Sequence, residues 1–193
     1  MSPDRPYHHG NLRQAVLDEA AAVVRDRGAS ELSLRELAAT IGVTHAAPRR
    51  YFPGRQDLLD AVAVEGFARL GARLREAVEA SPDYQKQIRS VAHAYLEFTI
   101  SEANLVELMF AHKRGAGGRA VGESAVAAFT PMLQMFRHGQ AEGVLGHHDP
   151  EQIGLVFLAT LQGLAGLVNC GVVPAGQLDA LLDDAVARFP HGP

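Results

Sequence analysis

The side chains best suited to an anionic partner lie in one short segment, THAAPRRYFPGR, at residues 44–55. This segment contains Arg49, Arg50 and Arg55 together with His45. An arginine guanidinium can bond guanine through two parallel hydrogen bonds, or it can pair with a phosphate. Such chemistry favours nucleic acid as the partner. The alternative is that these cations form an ordinary solvated face, since arginine is mostly exposed in any globular protein.

The other reactive side chains do not form a recognisable site. His147, His148 and Asp149 are adjacent in sequence, whereas helical metal ligands are spaced three or four residues apart. Cys170 is the only cysteine, which excludes a disulfide framework and indicates a reducing compartment. We find no phosphate-binding loop, nucleophile motif or paired acids, so we expect no enzyme activity, no cofactor and no metal. A metal- or redox-responsive regulator stays open as an alternative.

Two short helices around a tight turn are predicted to position the basic segment. Ser33 and Glu36 have the spacing of a capping box, and Gly42 can adopt the positive φ that a tight reversal needs. Thr44 is expected to cap a third helix that runs to about Tyr51. The side chains available for a small core between these helices are Leu34, Leu37, Ala38, Ile41, Val43 and Phe52. This pattern is typical of a helix-turn-helix, which directs the beginning of its second helix into the major groove.

The rest of the chain has helical periodicity, and no window alternates as a strand does. One helix is predicted over about residues 11–27, a long one over about residues 56–79, and the last over about residues 175–189. Ser81 and Asp149 each precede a proline and an acidic residue, which predicts two further helix starts. We therefore expect an all-α fold of about nine helices, three in a helix-turn-helix domain and about six in a second domain.

The two predicted domains differ in charge. Residues 1–55, the DNA-binding domain, hold eight arginines against six acidic residues, and residues 56–193, the ligand-binding and dimerisation domain, have a net charge of −6. The composition, 47% hydrophobic and 21% charged, is that of an ordinary globular chain. The chain lacks both an apolar leader and a run of about 18 apolar residues, so we expect a cytoplasmic protein with no membrane partner.

Residues 7–67, from YHHGNLRQAV to AVAVEGF, resemble the N-terminal domain of TetR-family regulators. They are most similar to the branch whose recognition helix reads HAAPYRHF followed by a lysine. Three positions depart from that pattern, because Arg49, Tyr51 and Arg55 replace its Tyr, His and Lys. The last change conserves the positive charge, but the first replaces a neutral ring with a cation. The resemblance therefore implies a DNA-binding regulator with an operator sequence of its own.

The resemblance also implies two kinds of DNA contact. The residues expected to face bases are Arg35, His45 and Ala46. The residues expected to contact phosphates are Ser33, Thr44, Tyr51 and Arg55, to which the cluster of arginines adds Arg49 and Arg50.

A second, looser resemblance covers the C-terminal part. The segments ANLVELMF, RHGQAEGVL and FLATLQGLAGL are similar to a TetR branch whose eighth helix carries a Trp before a His-Gly pair, and Gln162-Gly163 occupies that place here. The family implies a pocket among the middle helices for a small apolar or aromatic effector. The residues predicted to line it are Tyr95, Phe98, Met109, Phe129, Met132, Phe136, Phe157 and Gln162. The alternative is that they form an ordinary helical core.

The final two helices are the predicted dimer surface. Its residues are Gly163, Gly166, Leu178, Leu182 and Phe189. The glycines would let a partner helix approach closely, although they could equally admit helices of the same subunit. A homodimer is expected because a two-fold protein reads a two-fold, palindromic operator. Together these features predict a ligand-responsive transcriptional regulator that an effector releases from double-stranded DNA, and the family's usual behaviour favours a repressor.

Overall fold

The computed structural model describes residues 12–111, 116–145, 149–187 and Phe189. Within these residues every regular element is helical, which confirms the predicted all-α fold. The eight α-helices of the described chain are α1 (Leu12–Arg27), α2 (Leu34–Thr40), α3 (Arg55–Glu79), α4 (Tyr84–Ser101), α5 (Ala103–Phe110), α6 (Ala116–Ala141), α7 (Pro150–Asn169) and α8 (Leu178–Ala187). Three short 3-10 turns cover Ala29–Glu31, Pro48–Arg50 and Ala175–Gln177.

The chain divides into two compact units. The first unit comprises Met1–Gly66 and Asn104–Gly122, and the second comprises Phe67–Ala103 and Glu123–Pro193. The first unit therefore contains α1, α2, most of α5 and the beginnings of α3 and α6. α3 is one continuous helix that contributes residues to both units.

The core of the first unit follows from the spacing of apolar residues. Val16, Ala20 and Val24 recur every fourth residue along α1, and all three are fully buried. Leu37 and Ala38 of α2 are buried as well, and α2 contacts α1. The small side chain at Ala38 leaves room for this contact between the two helices.

Helix α5 belongs to the first unit even though it is distant from α1 in sequence. The Asn104 side-chain amide donates a hydrogen bond to the Arg25 carbonyl at the end of α1, over 2.9 Å. On α3, Gly66 provides space for Met109, because a Cβ at residue 66 would lie 2.7 Å from the Met109 sulfur. A glycine at this position therefore allows α5 to pack closely against α3.

The predicted third α-helix, from Thr44 to about Tyr51, is wrong. The segment is a turn followed by a single 3-10 turn, Pro48–Arg50. The reason is that Pro48 has no backbone N–H, so residue 48 cannot donate the α-helical bond to the Thr44 carbonyl. That carbonyl accepts instead from the Ala47 N–H at 2.9 Å, which is the tighter bond of a 3-10 or turn geometry.

Both predicted proline-containing helix starts are present, but one begins later than predicted. Asp149 caps α7, and its carboxylate accepts from a backbone N–H of the first turn at 3.0 Å. Helix α4 is capped by Asp83, whose Oδ1 accepts from the Lys86 N–H at 2.9 Å, rather than by Ser81. The Ser81 hydroxyl instead accepts from the Asp83 N–H at 3.1 Å, and this bond positions the capping residue Asp83.

Aromatic side chains pack at the centre of the second unit. Tyr95, Phe98, Phe136 and Phe157 are fully buried. The rings of Phe136 and Phe157 meet edge to face at a centroid distance of 5.4 Å, and Phe157 meets Phe189 at 4.9 Å. Burial of each ring stabilises the fold by about 1.5–3 kcal/mol, and edge-to-face contact adds about 0.5–1.5 kcal/mol. These rings hold α4, α6 and α7 in one core.

Helix α7 has an apolar composition around much of its surface. Leu155 is 68% exposed and Val156 is 58% exposed, while Phe157 beside them is fully buried. In the described chain α7 is the one helix whose length and hydropathy would suffice to cross a membrane, a weak indication that helices of soluble proteins also give. An exposed apolar face of this kind marks a surface that another molecule can cover.

Candidate nucleic-acid interface

The interface begins at the first turn of α2. The Ser33 hydroxyl accepts from the Glu36 N–H at 3.4 Å, as the capping-box spacing predicts. This bond determines where α2 begins and therefore where its first side chains lie. Arg35, in the first turn, is exposed to solvent. Its guanidinium is thus accessible to an external partner, as a base contact requires.

A tight turn then reverses the chain after α2. Gly42 has φ 73°, which confirms the positive φ that the sequence predicts. The Val43 N–H donates to the Ala38 carbonyl at 2.9 Å and closes the turn. Any other residue at Gly42 would be strained in this conformation. The turn thereby sets the direction of residues 44–51, which we call the recognition segment.

The recognition segment presents its polar side chains outward. The predicted contact residues that are exposed are Thr44, His45, Ala46, Arg49, Arg50 and Tyr51. Pro48 is buried, and it anchors the segment to the core while its neighbours extend into solvent. Both Arg49 and Arg50 are exposed to solvent. Their positive charge is therefore available to an anion.

One further cation lies next to this segment, and the sequence prediction missed it. The Arg13 guanidinium, on α1, lies over the Phe52 ring at 5.4 Å from its centroid. Arg13 is exposed, so α1 adds a positive charge beside the recognition segment. A cation–π contact depends on tertiary packing, and no spacing along the sequence signals it.

Arg55 is the predicted contact residue with the most defined surroundings. Its Nε donates to the Leu32 carbonyl at 2.9 Å, and its Nη2 donates to the Ala29 carbonyl. At the same helix start, the Asp57 carboxylate accepts from the Gly54 N–H at 2.8 Å. The beginning of α3 is therefore bonded to the loop that precedes α2.

The geometry of residues 12–66 is that of a helix-turn-helix covered by α1. Residues 16–62 match the family described as bacterial regulatory proteins, tetR family. The N-terminal domain belongs to the tetR family. Its recognition segment, with a buried proline and exposed arginines, corresponds to the DNA-reading part of a helix-turn-helix. A tetR-family domain indicates a transcription factor rather than an enzyme.

The whole chain is similar to solved structures with the same fold. It is 35% identical to a protein of unknown function from Rhodococcus sp. RHA1, covering 96% of this chain and 97% of that one, with a TM-score of 0.88. It is 18% identical to the TetR family transcriptional regulator PfmR from Thermus thermophilus, covering 89% and 97%, with a TM-score of 0.70. The second likeness shows the fold alone.

A curated relative is the nucleoid occlusion factor SlmA of Vibrio campbellii. The two sequences are 26% identical over 103 residues, which is 53% of this chain and 53% of the relative. The match therefore spans about half the length of each protein. Together with the tetR-family domain, it supports a DNA-binding regulator as the class of this protein.

The residues predicted to bind an effector are divided between the two units. Met109 lies in the first unit, against Gly66. The others lie in the second unit, where Tyr95 and Phe129 have ring centroids 6.3 Å apart. The second-unit members that are buried are Tyr95, Phe98, Met132, Phe136 and Phe157. Gln162, on α7, is half-buried. Sequence spacing along separate helices could not assign these residues to one unit or the other.

Tyr95 is the buried member of this set that carries a side-chain oxygen. Its hydroxyl is buried and has no hydrogen-bond partner among the described residues. Burial raises the pKa of the Tyr95 phenol well above its usual range. The hydroxyl is therefore a neutral group that can donate or accept one bond.

A cavity of about 760 Å³ lies in the second unit, between α7 and α8. Its apolar wall includes Ile153, Val156, Leu164 and Leu181, and Asp149 and Asp184 lie at its edge. None of the eight residues predicted to bind an effector lines this cavity. Phe189, a predicted dimer residue, does line it.

The predicted dimer residues are partly buried inside the chain. Leu182 is fully buried, and Phe189 packs on Phe157. Gly163 and Gly166 are exposed, and a Cβ at either would meet no atom within 4 Å. The apolar surface that α7 leaves exposed lies instead at the side chains Leu155, Val156 and Leu167. The sequence prediction missed these, because helical periodicity alone does not identify which of two apolar faces meets the core.

Of the residues considered for metal and redox chemistry, those that the structure describes do not form a cluster. Within the described part of the chain, no group of three His, Cys, Asp or Glu side chains is placed to hold a metal ion. His8, His9, His112, His147 and His148 lie outside the described residues. Cys170 is exposed at the end of α7, and its Sγ lies 3.5 Å from the Leu167 carbonyl.

Proposed function

We propose that this protein is a ligand-responsive transcriptional repressor that binds a palindromic operator as a homodimer. The observation that carries the proposal is the exposed recognition segment, with Arg49 and Arg50 outward, in a tetR-family domain. Cations held in this way on a rigid turn can approach both base edges and phosphates. The three departures from the HAAPYRHF pattern give the protein an operator preference of its own.

Base and phosphate contacts are assigned to different side chains. Arg35, His45 and Ala46 read base edges in the major groove. Ser33, Thr44, Arg49, Arg50 and Tyr51 hold phosphates. In this arrangement phosphate contacts give affinity and register, while the base-facing side chains give sequence preference.

The experiment that tests this function is the selection of DNA by the purified protein from a random pool. The expected product is a two-fold symmetric sequence whose half-sites are centred about one turn apart, or about 34–36 Å. Binding to that sequence should weaken steeply with salt, because each phosphate contact releases counterions. A pool that shows no enriched sequence after repeated rounds would contradict the proposal.

A second copy of this chain covers the exposed face of α7. Two features support this assignment: the exposed apolar side chains Leu155, Val156 and Leu167, and the open space above Gly163 and Gly166. The apolar cavity between α7 and α8 continues this face. In an isologous contact the same face of each subunit meets the other. The two tetR-family domains would then be related by a two-fold axis, as the two halves of a palindromic operator are.

The effector is a small apolar or aromatic molecule bound in the second unit. The unpartnered Tyr95 hydroxyl supports this, since a ligand with one polar group would satisfy it. Because α3 contributes residues to both units, a shift of its second-unit part can be transmitted to the first unit. To move the protein from 1:99 to 99:1 in favour of the released state, the effector needs about 5.5 kcal/mol of differential affinity.

A further inference from the structure

Arg55 lies at the first position of α3, but its side chain extends away from α3 to an earlier part of the chain. Its guanidinium donates through Nε to the Leu32 carbonyl at 2.9 Å and through Nη2 to the Ala29 carbonyl. These acceptors are 23 and 26 residues earlier in the sequence. Two N–H groups of the Arg55 guanidinium therefore donate to acceptors within the protein.

The two acceptors are carbonyls of the segment that leads into α2. Ala29 begins the 3-10 turn between α1 and α2, and Leu32 is the buried residue before the Ser33 cap. A guanidinium presents its N–H groups in a fixed planar fork, so it can bond both carbonyls at once. A lysine ammonium is a single point charge on a flexible stem and cannot reproduce that fork.

The backbone that carries Arg55 is itself held in place. The Asp57 carboxylate accepts from the Gly54 N–H at 2.8 Å, which defines the start of α3. At the other end, Ser33 caps α2 two residues before Arg35. The guanidinium of Arg55 is thus a direct bridge between two defined helix starts.

We propose that Arg55 is a positioning residue for DNA binding, which holds the beginning of α2 against the beginning of α3, and that it is not a phosphate ligand. This inference rests on the proposed function. Through Leu32, the bridge determines where Ser33 and Arg35 lie relative to the recognition segment. Loss of the bridge therefore changes the base contacts of Arg35 while leaving the number of cationic side chains on phosphates unchanged, and that number sets the salt dependence of binding.

The test compares R55K and R55Q with the wild type on the operator selected from the random pool. R55K keeps the positive charge and loses the fork, and R55Q loses both. We expect each to bind at least tenfold more weakly, with the slope of log affinity against log salt unchanged. The matched control is R27Q, which removes an exposed arginine from the last turn of α1 and should bind as the wild type does.

A second measurement separates positioning from a general loss of stability. Affinities are measured at a temperature where circular dichroism shows every variant folded, and each variant is taken through the same DNA selection. We expect R55K to relax the base preference at the positions where R35A relaxes it. A loss of affinity that is uniform over all sequences would overturn the proposal.

Two further outcomes would also overturn it. One is R55K binding with wild-type affinity, since a phosphate ligand needs only the charge. The other is a salt slope that falls by about 0.9 in R55Q, which is the signature of one lost phosphate contact. If the wild-type protein itself selects no operator, the proposed function has failed. If the wild type binds and R55K binds equally well, only the role of Arg55 has failed.

Discussion

At the scale of single residues, the distribution of exposed charge decides what the N-terminal domain can contact. Arg49 and Arg50 are exposed because Pro48 between the turn and the core is buried. Arg13 adds a cation from α1 through its contact with Phe52. Arg55, by contrast, directs its guanidinium to backbone carbonyls. Four arginines in one domain therefore have different surroundings, which their shared charge does not reveal.

Substitution of Arg49 by alanine should weaken DNA binding for all sequences alike. A phosphate contact contributes affinity without sequence information, so its loss should lower the slope of log affinity against log salt by about 0.9. Gel-shift titration of R49A at several salt concentrations measures both quantities. H45A is the matched comparison, and it should relax base preference while keeping the wild-type salt slope. Wild-type affinity for R49A at every salt concentration would argue against the phosphate assignment.

Substitution of Tyr95 by phenylalanine should remove a polar atom that the core does not satisfy. A buried polar group without a partner costs about 1–3 kcal/mol, so Y95F should unfold at a higher temperature than the wild type when no effector is present. If the hydroxyl meets the effector, Y95F should also need more effector for half-maximal operator release. Calorimetry and effector titration check the two effects.

Q162L, on the half-buried Gln162, should shift the effector response without a change in stability.

At the scale of elements, short segments owe their form to single residues. Pro48 lacks a backbone donor, so the recognition segment forms a turn followed by the 3-10 turn Pro48–Arg50 rather than an α-helix. Gly42 reverses the chain with φ 73°. Asp83 and Asp149 set the starts of α4 and α7 through their side-chain bonds. In each case the backbone hydrogen bonds that a residue permits decide the path of the chain.

Replacement of Gly42 by alanine should destabilise the protein and displace the recognition segment. Positive φ costs a non-glycine residue about 1–2 kcal/mol, although a Cβ at Gly42 would meet no atom within 4 Å. Gly122, inside α6, has the same open space but an ordinary helical φ, so G122A is the control. G122A should gain about 0.5–1 kcal/mol. Thermal unfolding measures both variants, and a G42A protein as stable as the wild type would contradict the role of this turn.

At the scale of the whole molecule, the exposed face of α7 is the feature that a single chain leaves unexplained. Leu155 and Val156 are more than half exposed, and the cavity between α7 and α8 is lined by apolar side chains. A monomer gains nothing by exposing such a surface to water. The proposed second copy of the chain would account for it, and two-fold pairing would also match a palindromic operator.

A charge on this face should separate the proposed dimer without unfolding the chain. L155E and V156E place a carboxylate on an exposed side chain, so the fold should persist while apolar contact between subunits is lost. V126E is the control, since Val126 is exposed on α6 rather than on α7. Sedimentation velocity should show monomers for the first two and a dimer for the control, and the monomers should not bind the operator. An unchanged dimer in L155E would place the interface elsewhere.

The stripe on the last helix needs a different interpretation at this scale. Leu182 is fully buried in its own chain, so L182E should unfold the second unit rather than only separate subunits. Loss of helical circular dichroism in L182E, with retained helix in L155E, distinguishes the two effects.

Local chemistry in the sequence was enough to predict the class of fold and the turn that precedes the recognition segment. Ser33 and Gly42 act through their own backbone neighbours, so a capping box and a positive φ can be inferred from residue type and spacing. The apolar repeat of α1 likewise predicts which of its faces is buried. The predicted all-α fold and the turn at Gly42 depend on interactions of this short range.

Only the tertiary structure decided which distant residues share a site. Arg55 and Leu32 are 23 residues apart, and Phe157 packs on Phe189, which lies beyond the end of α8. Whether Leu182 or Leu155 faces the core depends on how α7 and α8 pack on their neighbours, which helical periodicity leaves open. The assignment of Met109 to a different unit from the other predicted effector residues arises in the same way. Contacts of this kind form between segments that are close only after folding. The spacing of residues along the chain therefore does not predict them.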